Sequence, residues 1–223
     1  MIIIGHRGAR GLAPENTLAS IRKALEHNVD EIEFDVRATK DDVAVLIHDA
    51  HLTDAAGNHL PVERHSFAEL KKHKTDLISL VELFDAIKPT KPLYIEVKPG
   101  TSVAPVITAV DYALKHGWTA QDLRLGSYSQ SILKELHATF PDITKIVIER
   151  WSGVRASYRA RRLGTKRIAM NQRWLWWGFV GPVSRRGWQL TPYTVNSTKQ
   201  AKGWMRLGLY GIVTDYPDRF EAN

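Results

Sequence analysis

The sequence predicts an α/β fold, a (β/α)8 barrel of the TIM type with a small insertion after the second strand. Eight short apolar segments recur along the 223 residues, separated by stretches with helical periodicity. The residues best suited to chemistry cluster directly after the first few of these segments, where a barrel of parallel strands opens its mouth.

The elements follow in order. Ile2–Ile4 is wholly apolar, as suits a strand covered on both faces. Pro14-Glu15-Asn16-Thr17 opens a helix over 18–27, with Leu18, Ile21 and Leu25 on one side. Residues 31–36 alternate as a strand, and 43–47 form a short ribbon that pairs back on it across a turn at 39–42. Residues 49–79 are polar, irregular and rich in His, with a helical piece at 67–73, and read as the insertion. Regular alternation then resumes, with helix 80–87, strand 93–97, helix 104–116, strand 123–126, helix 130–140 and strand 143–148. A basic helix over 154–163, a strand at 167–170, a strand at 189–195, a helix over 199–207 and a last strand at 210–214 complete the series. Residues 171–187 have no clear periodicity. Little chain remains after Thr214, so a final helix is short or missing. No repeat, low-complexity linker or composition break divides the chain, and residues 1–223 are expected to form a single domain.

Composition narrows the function. A chain of 223 residues without Cys excludes disulfides, thiolate chemistry and Cys-based zinc sites. Lys plus Arg number 31 against 24 Asp plus Glu, a net charge of +7 that suggests anionic partners. The acids lie mainly in the first half, while the region from Lys145 to Arg206 is strongly basic and rich in Trp. Neither a signal peptide nor an apolar run of about 20 residues is present, so a soluble, cytoplasmic protein is the expectation.

The candidate site is assembled from strand ends. His6-Arg7-Gly8 follows the first strand, and Glu33 and Asp35, two apart, share one face at the end of the second. His48-Asp49 ends the ribbon, and Glu96 and Lys98, again two apart, end the third strand. Three carboxylates in one barrel mouth repel one another and need cations to hold them together. Their oxygen ligands point to a hard divalent cation, Mg2+ or Ca2+. Arg7 and Lys98 add fixed positive charge suited to a phosphate, and His6 and His48 remain as proton carriers. Each feature alone is commonly structural; their convergence on one end of successive elements carries the reading.

The segments His6-Arg7-Gly8-Ala9, Ala13-Pro14-Glu15-Asn16-Thr17, Glu31-Ile32-Glu33-Phe34-Asp35-Val36, His48-Asp49 and Ile95-Glu96-Val97-Lys98-Pro99 resemble the motif series of the glycerophosphodiester phosphodiesterase family. Tyr193-Thr194-Val195-Asn196 and Gly211-Ile212-Val213-Thr214-Asp215-Tyr216-Pro217 resemble its closing motifs, in the family's order. The resemblance implies metal ligation at Glu33, Asp35 and Glu96, catalytic histidines at His6 and His48, and phosphate contacts at Arg7 and Lys98. It implies hydrolysis of a small-molecule glycerophosphodiester to glycerol 3-phosphate and an alcohol. Two departures bear on substrate shape: 52–57 lacks an Arg-Thr-rich stretch, and Tyr193 stands where the family usually has Trp.

Trp174, Trp176 and Trp177 follow the sixth strand, with Arg185 and Arg186 close behind. They read either as packing over the mouth or as a substrate lip at a membrane surface that admits lysophospholipids. A non-catalytic anion-binding barrel is the remaining alternative, and nothing resembles a nucleic-acid module. The head group, the choice between Mg2+ and Ca2+, the order of the histidines and the oligomeric state are left open by the sequence.

Overall fold

A computed structural model describes residues 1–54 and 56–220, with only the backbone of Trp177. Its elements run β1 (Ile2–Gly5), α1 (Leu18–Glu26), β2 (Glu31–Ala38), β3 (Ala44–Leu46), β4 (His51–Thr53), β5 (His59–Pro61), α2 (Phe67–His73) and α3 (Leu80–Ala86). They continue with β6 (Leu93–Val97), α4 (Ala104–Lys115), β7 (Leu123–Ser127), α5 (Gln130–Thr139), β8 (Thr144–Glu149) and α6 (Gly153–Arg162). The last are β9 (Arg167–Asn171), α7 (Trp177–Arg185), β10 (Gln189–Tyr193), α8 (Thr198–Met205) and β11 (Gly211–Thr214).

Strands β10, β9, β8, β7, β6, β2, β1 and β11 are parallel neighbours in that order. The seam between β10 and β11 is narrowed by the Val195 N–H, which donates to the Val213 carbonyl at 2.8 Å. This is the expected (β/α)8 barrel, nearly closed. β3 lies antiparallel on β2, and β4 and β5 form a separate hairpin within the stretch read as an insertion. Thr17, Ser79, Ser129, Ser152 and Ser197 cap α1, α3, α5, α6 and α8, each side chain accepting a first-turn N–H. Each cap contributes about 1 kcal/mol. After β11 a single 3-10 turn, Pro217–Phe220, stands in for the eighth helix.

The stretch without clear periodicity resolves into a 3-10 turn, Gln172–Trp174, and α7. Pro182 lies inside α7 and cannot bond the carbonyl one turn earlier, at exposed Gly178. That interruption, with three glycines and prolines in nine residues, explains why no helical pattern stands out.

Alternation along the strands places the site. Ile32, Phe34 and Val36 of β2, with Leu93, Ile95 and Val97 of β6, face outward into the apolar layer under α1, α3 and α4. Ile168, Met170, Leu190 and Ile212 do the same in the second half. The intervening residues point into the barrel. Near the bottom, Arg167 grips Glu31 with two bonds, at 2.7 and 2.9 Å, both residues being buried. Above them Ile4, Tyr94, Ile146, Ile148, Ala169 and Val213 pack together across the interior. Tyr94 needs the space beside β7: a Cβ on Gly126 would lie 2.4 Å from its ring. Glu33, Asp35 and Glu96 stand one step further along, above that apolar floor.

Candidate active site

A cavity of about 320 Å3 opens at the C-terminal end of the barrel, bounded below by Tyr94, Ile148, Ala169 and Val213. His6, Arg7, Glu33, Asp35, His48, Glu96 and Lys98 all line it. The structure thus brings together every residue of the expected metal, histidine and phosphate set. Trp174 and Trp176 do not line it; both are exposed on the outer surface, and the side chain of Trp177 lies outside the described residues.

The carboxylates are held individually. Asn16 donates to Asp35 at 3.1 Å and accepts the Asp35 N–H at 3.0 Å. The Arg7 N–H donates to Glu33 at 2.9 Å. Lys98 donates to Glu96 at 2.6 Å and to Asp35 at 3.1 Å. The turn that carries Arg7 is left-handed at Arg7 and Gly8, and a Cβ on Gly8 would meet the Ser20 backbone at 2.5 Å. This turn brings the Arg7 guanidinium back over the mouth, 2.6 Å from Glu15 and 3.2 Å from Asp35. The contact to Asp35 is made by its buried Nε, as an ion pair without hydrogen-bond geometry.

One ligand oxygen from each of Glu33, Asp35 and Glu96 lies within 4.8 Å of the others. Burial and repulsion from Asp35 and Glu96 hold Glu33 well above the usual carboxylate range. Burial and Asp35 lift Glu96 to about 7, against the pull of Lys98. Asp35 goes the other way: burial opposes its charge, but Lys98, Arg7 and His48 together outweigh burial. Two of three carboxylates therefore resist ionisation with the chain's own cations alone. A divalent cation among three buried oxygen donors relieves that deficit, so the residues fit one.

The histidines are each fixed through Nδ1. His6 bonds Asp215 at 2.6 Å, and His48 bonds Asp49 at 2.7 Å. Asp215 follows β11 and is itself held by Asn196, which donates to it at 2.8 Å and accepts its N–H at 2.9 Å. Engagement of Nδ1 leaves Nε2 of each ring to exchange a proton. Burial, with help from Lys98 and Arg7, pushes His48 below the usual histidine value. Around the far wall, Tyr128 donates to the Tyr193 hydroxyl at 2.7 Å, which donates to the Glu149 carbonyl at 3.1 Å.

Sequence reasoning quoted Asn16, Asp49, Tyr193 and Asp215 within motifs but gave them no role, and it did not single out Tyr128. Position carried a signal for some: Asp215 directly follows the last strand, and Asp49 directly follows His48. Nothing local marks Asn16 or Tyr128 as partners of residues on other strands.

The sequence profile of the glycerophosphoryl diester phosphodiesterase family matches residues 6–177, from the first histidine to the start of α7. The chain belongs to this family. The Bacillus subtilis protein YhdW is 29% identical over 232 residues, spanning 98% of this chain and 96% of its own. A glycerophosphodiester phosphodiesterase of Bacillus altitudinis is 26% identical, spanning 97% and 95%. An Oleispira antarctica phosphodiesterase, solved in complex with the product sn-glycerol-3-phosphate, superimposes with a TM-score of 0.86 at 26% identity, over 98% of this chain and 94% of that one. In this phosphodiesterase family member, no helix among the described residues is long and apolar enough to cross a membrane.

Proposed function

We propose that this chain is a hydrolase that cleaves glycerophosphodiesters to glycerol 3-phosphate and an alcohol, with Glu33, Asp35 and Glu96 holding Mg2+ or Ca2+. The observation that carries the reading is the buried carboxylate trio facing the same cavity as two carboxylate-anchored histidines. When bound, the cation supplies a fixed charge that stabilises negative charge developing on the phosphoryl oxygens. Arg7 and Lys98 orient and neutralise the phosphate. His48, neutral at neutral pH, accepts a proton through Nε2 from the attacking oxygen, either the neighbouring glycerol hydroxyl or water. His6 donates its Nε2 proton to the departing alcohol oxygen as the P–O bond breaks. If the hydroxyl attacks first, water then opens the cyclic phosphate with the two roles exchanged. Asp215 and Asp49 keep the rings turned so that Nε2 does this work.

Phosphorus NMR of glycerophosphocholine tests the reading. Glycerol 3-phosphate should accumulate with Mg2+ or Ca2+ and not after chelation. Full turnover in a chelator-dialysed sample would refute the cation assignment, and no turnover with either ion would refute the activity.

A further inference from the structure

From Arg150 to Thr214 the chain has ten Arg, three Lys and six of its seven Trp, and not one Asp or Glu. Some of these cations serve the fold. Arg155 binds Glu149 through two bonds, Arg159 lies beside the same carboxylate, and Arg167 binds Glu31. Others do not. Arg150, Arg161, Arg162, Arg173, Arg185 and Arg186 are exposed, and among the described residues none is paired with a carboxylate. Arg150, Arg161 and Arg162 lie instead over the rings of Trp151, Trp188 and Tyr158.

Large apolar side chains share this surface. Trp151 is 57% exposed, Val154 80%, Tyr158 60%, Trp174 49% and Trp176 65%. They are contiguous. Trp151 meets Trp174 edge-on at 5.2 Å, the Phe179 ring covers Gly153, and the Trp176 ring covers Gly178. Between α6 and α7 runs a mainly apolar groove of about 430 Å3, bounded by Val154, Tyr158, Phe179, Pro182, Arg161 and Arg186. The surface also adjoins the active site, because Arg150 lines the catalytic cavity and Trp151 is the next residue.

We propose that the α6–α7 face docks on an anionic phospholipid surface, with the indole rings at the level of the lipid head groups and the free arginines against lipid phosphates. A basic face interleaved with Trp and aliphatic residues has this chemistry: apolar burial supplies contact, and positive charge selects acidic lipid. A second copy of the chain fits poorly, because the face carries no acid, and a two-fold contact would set Arg against Arg. Single-stranded nucleic acid would use the rings and the charge but would leave the groove with Val154 and Pro182 unfilled. Docking here sets the mouth of the barrel beside the bilayer. It rests on the proposed function only for what the mouth then does, because binding is read without turnover.

The test is co-sedimentation of the full chain with vesicles of phosphatidylcholine alone and of phosphatidylcholine with phosphatidylglycerol, at low and high salt. Binding should require phosphatidylglycerol and weaken with salt. Arg161→Gln with Arg186→Gln should weaken it by on the order of tenfold or more, at roughly fivefold per arginine. Trp174→Ala with Trp176→Ala should weaken binding at both salt concentrations. All four positions are exposed, so melting temperature should stay near that of wild type and separates lost docking from lost fold. Equal binding to both vesicle types, no binding to either, or wild-type binding by the arginine pair would overturn the proposal. So would a shift with an RNA oligomer or self-association in place of vesicle binding. Hydrolysis of free glycerophosphocholine by the same variants reports separately on the active site.

Discussion

β2 and the end of β6 bury most of their charges, whereas the chain from Arg150 to Thr214 mostly exposes them. Glu33, Asp35, Glu96 and Lys98 are all less than a tenth exposed, and Lys98 donates to both Asp35 and Glu96. Among the described residues of the second half the one deeply buried arginine, Arg167, has a carboxylate in reach, while Arg161 and Arg186 have none and stay in solvent. The contrast follows from desolvation: burying a charge is costly unless another element supplies a counter-charge or other polar partners. One half of the molecule is thus arranged to concentrate charge on a substrate, and the other to present charge outward.

The comparison breaks first if the buried half is not where chemistry happens. His6→Ala and His48→Ala should each lower turnover by at least ~100-fold while the protein stays folded. Their pH profiles should differ. With His48 as the proposed base and His6 as the proposed acid, loss of His48 should remove the limb on which activity rises with pH, and loss of His6 the limb on which it falls. A variant with near-normal turnover would remove that histidine from the mechanism.

Glu96→Gln should reduce divalent-cation affinity by calorimetry by at least about tenfold. Lys98→Met should chiefly raise KM for the diester. Equal affinity in wild type and Glu96→Gln would show that Glu96 is not a ligand.

Arg167→Met probes the exception in the basic half. It removes both hydrogen bonds to buried Glu31 and leaves only Arg124, 3.5 Å away, as a counter-charge, so the loss should approach the about 3–5 kcal/mol of a broken buried pair without exceeding it. Chemical denaturation should show that loss, whereas turnover of the protein that remains folded should be little changed.

A milder effect is the pH dependence of the cation-free protein. Glu96 moves from a usual value of 4.5 to about 7 on folding, and Glu33 moves in the same direction, beside Asp35, Lys98 and Arg7. Raised folded-state values mean full stability below the unfolded values and a loss as pH rises through the folded ones. In chelator the melting temperature should therefore fall as pH rises from about 5 to about 8. Mg2+ or Ca2+ should restore it, and by more at the higher pH, because the ionised carboxylates bind the cation. A melting temperature that rises over this range would contradict the trio's electrostatics.

The smallest effect should come from the exposed half in a soluble assay. Trp174→Ala should change stability by no more than about 0.5 kcal/mol and leave turnover of glycerophosphocholine unaltered. A large loss of either would mean that this ring packs against the barrel instead of facing outward.

The sequence by itself determined the barrel's strands and singled out the candidate metal, histidine and phosphate residues that its cavity gathers. Both are local signals: period-two alternation assigns faces within one strand, and Glu33 with Asp35, or Glu96 with Lys98, share a face by spacing alone. The 171–187 stretch escaped because Gly178, Gly181 and Pro182 interrupt any period. Only the tertiary structure decided which partners complete those residues. His6 finds Asp215 across 209 positions, and Arg167 finds Glu31 across 136. It also decided which arginines remain free, since Arg155 and Arg161 look alike along α6 and differ only in whether Glu149 lies within reach. Pairing between distant charges is settled by barrel closure, which brings β11 beside β1 and sets β9 across from β2, and no local period in the chain encodes that proximity.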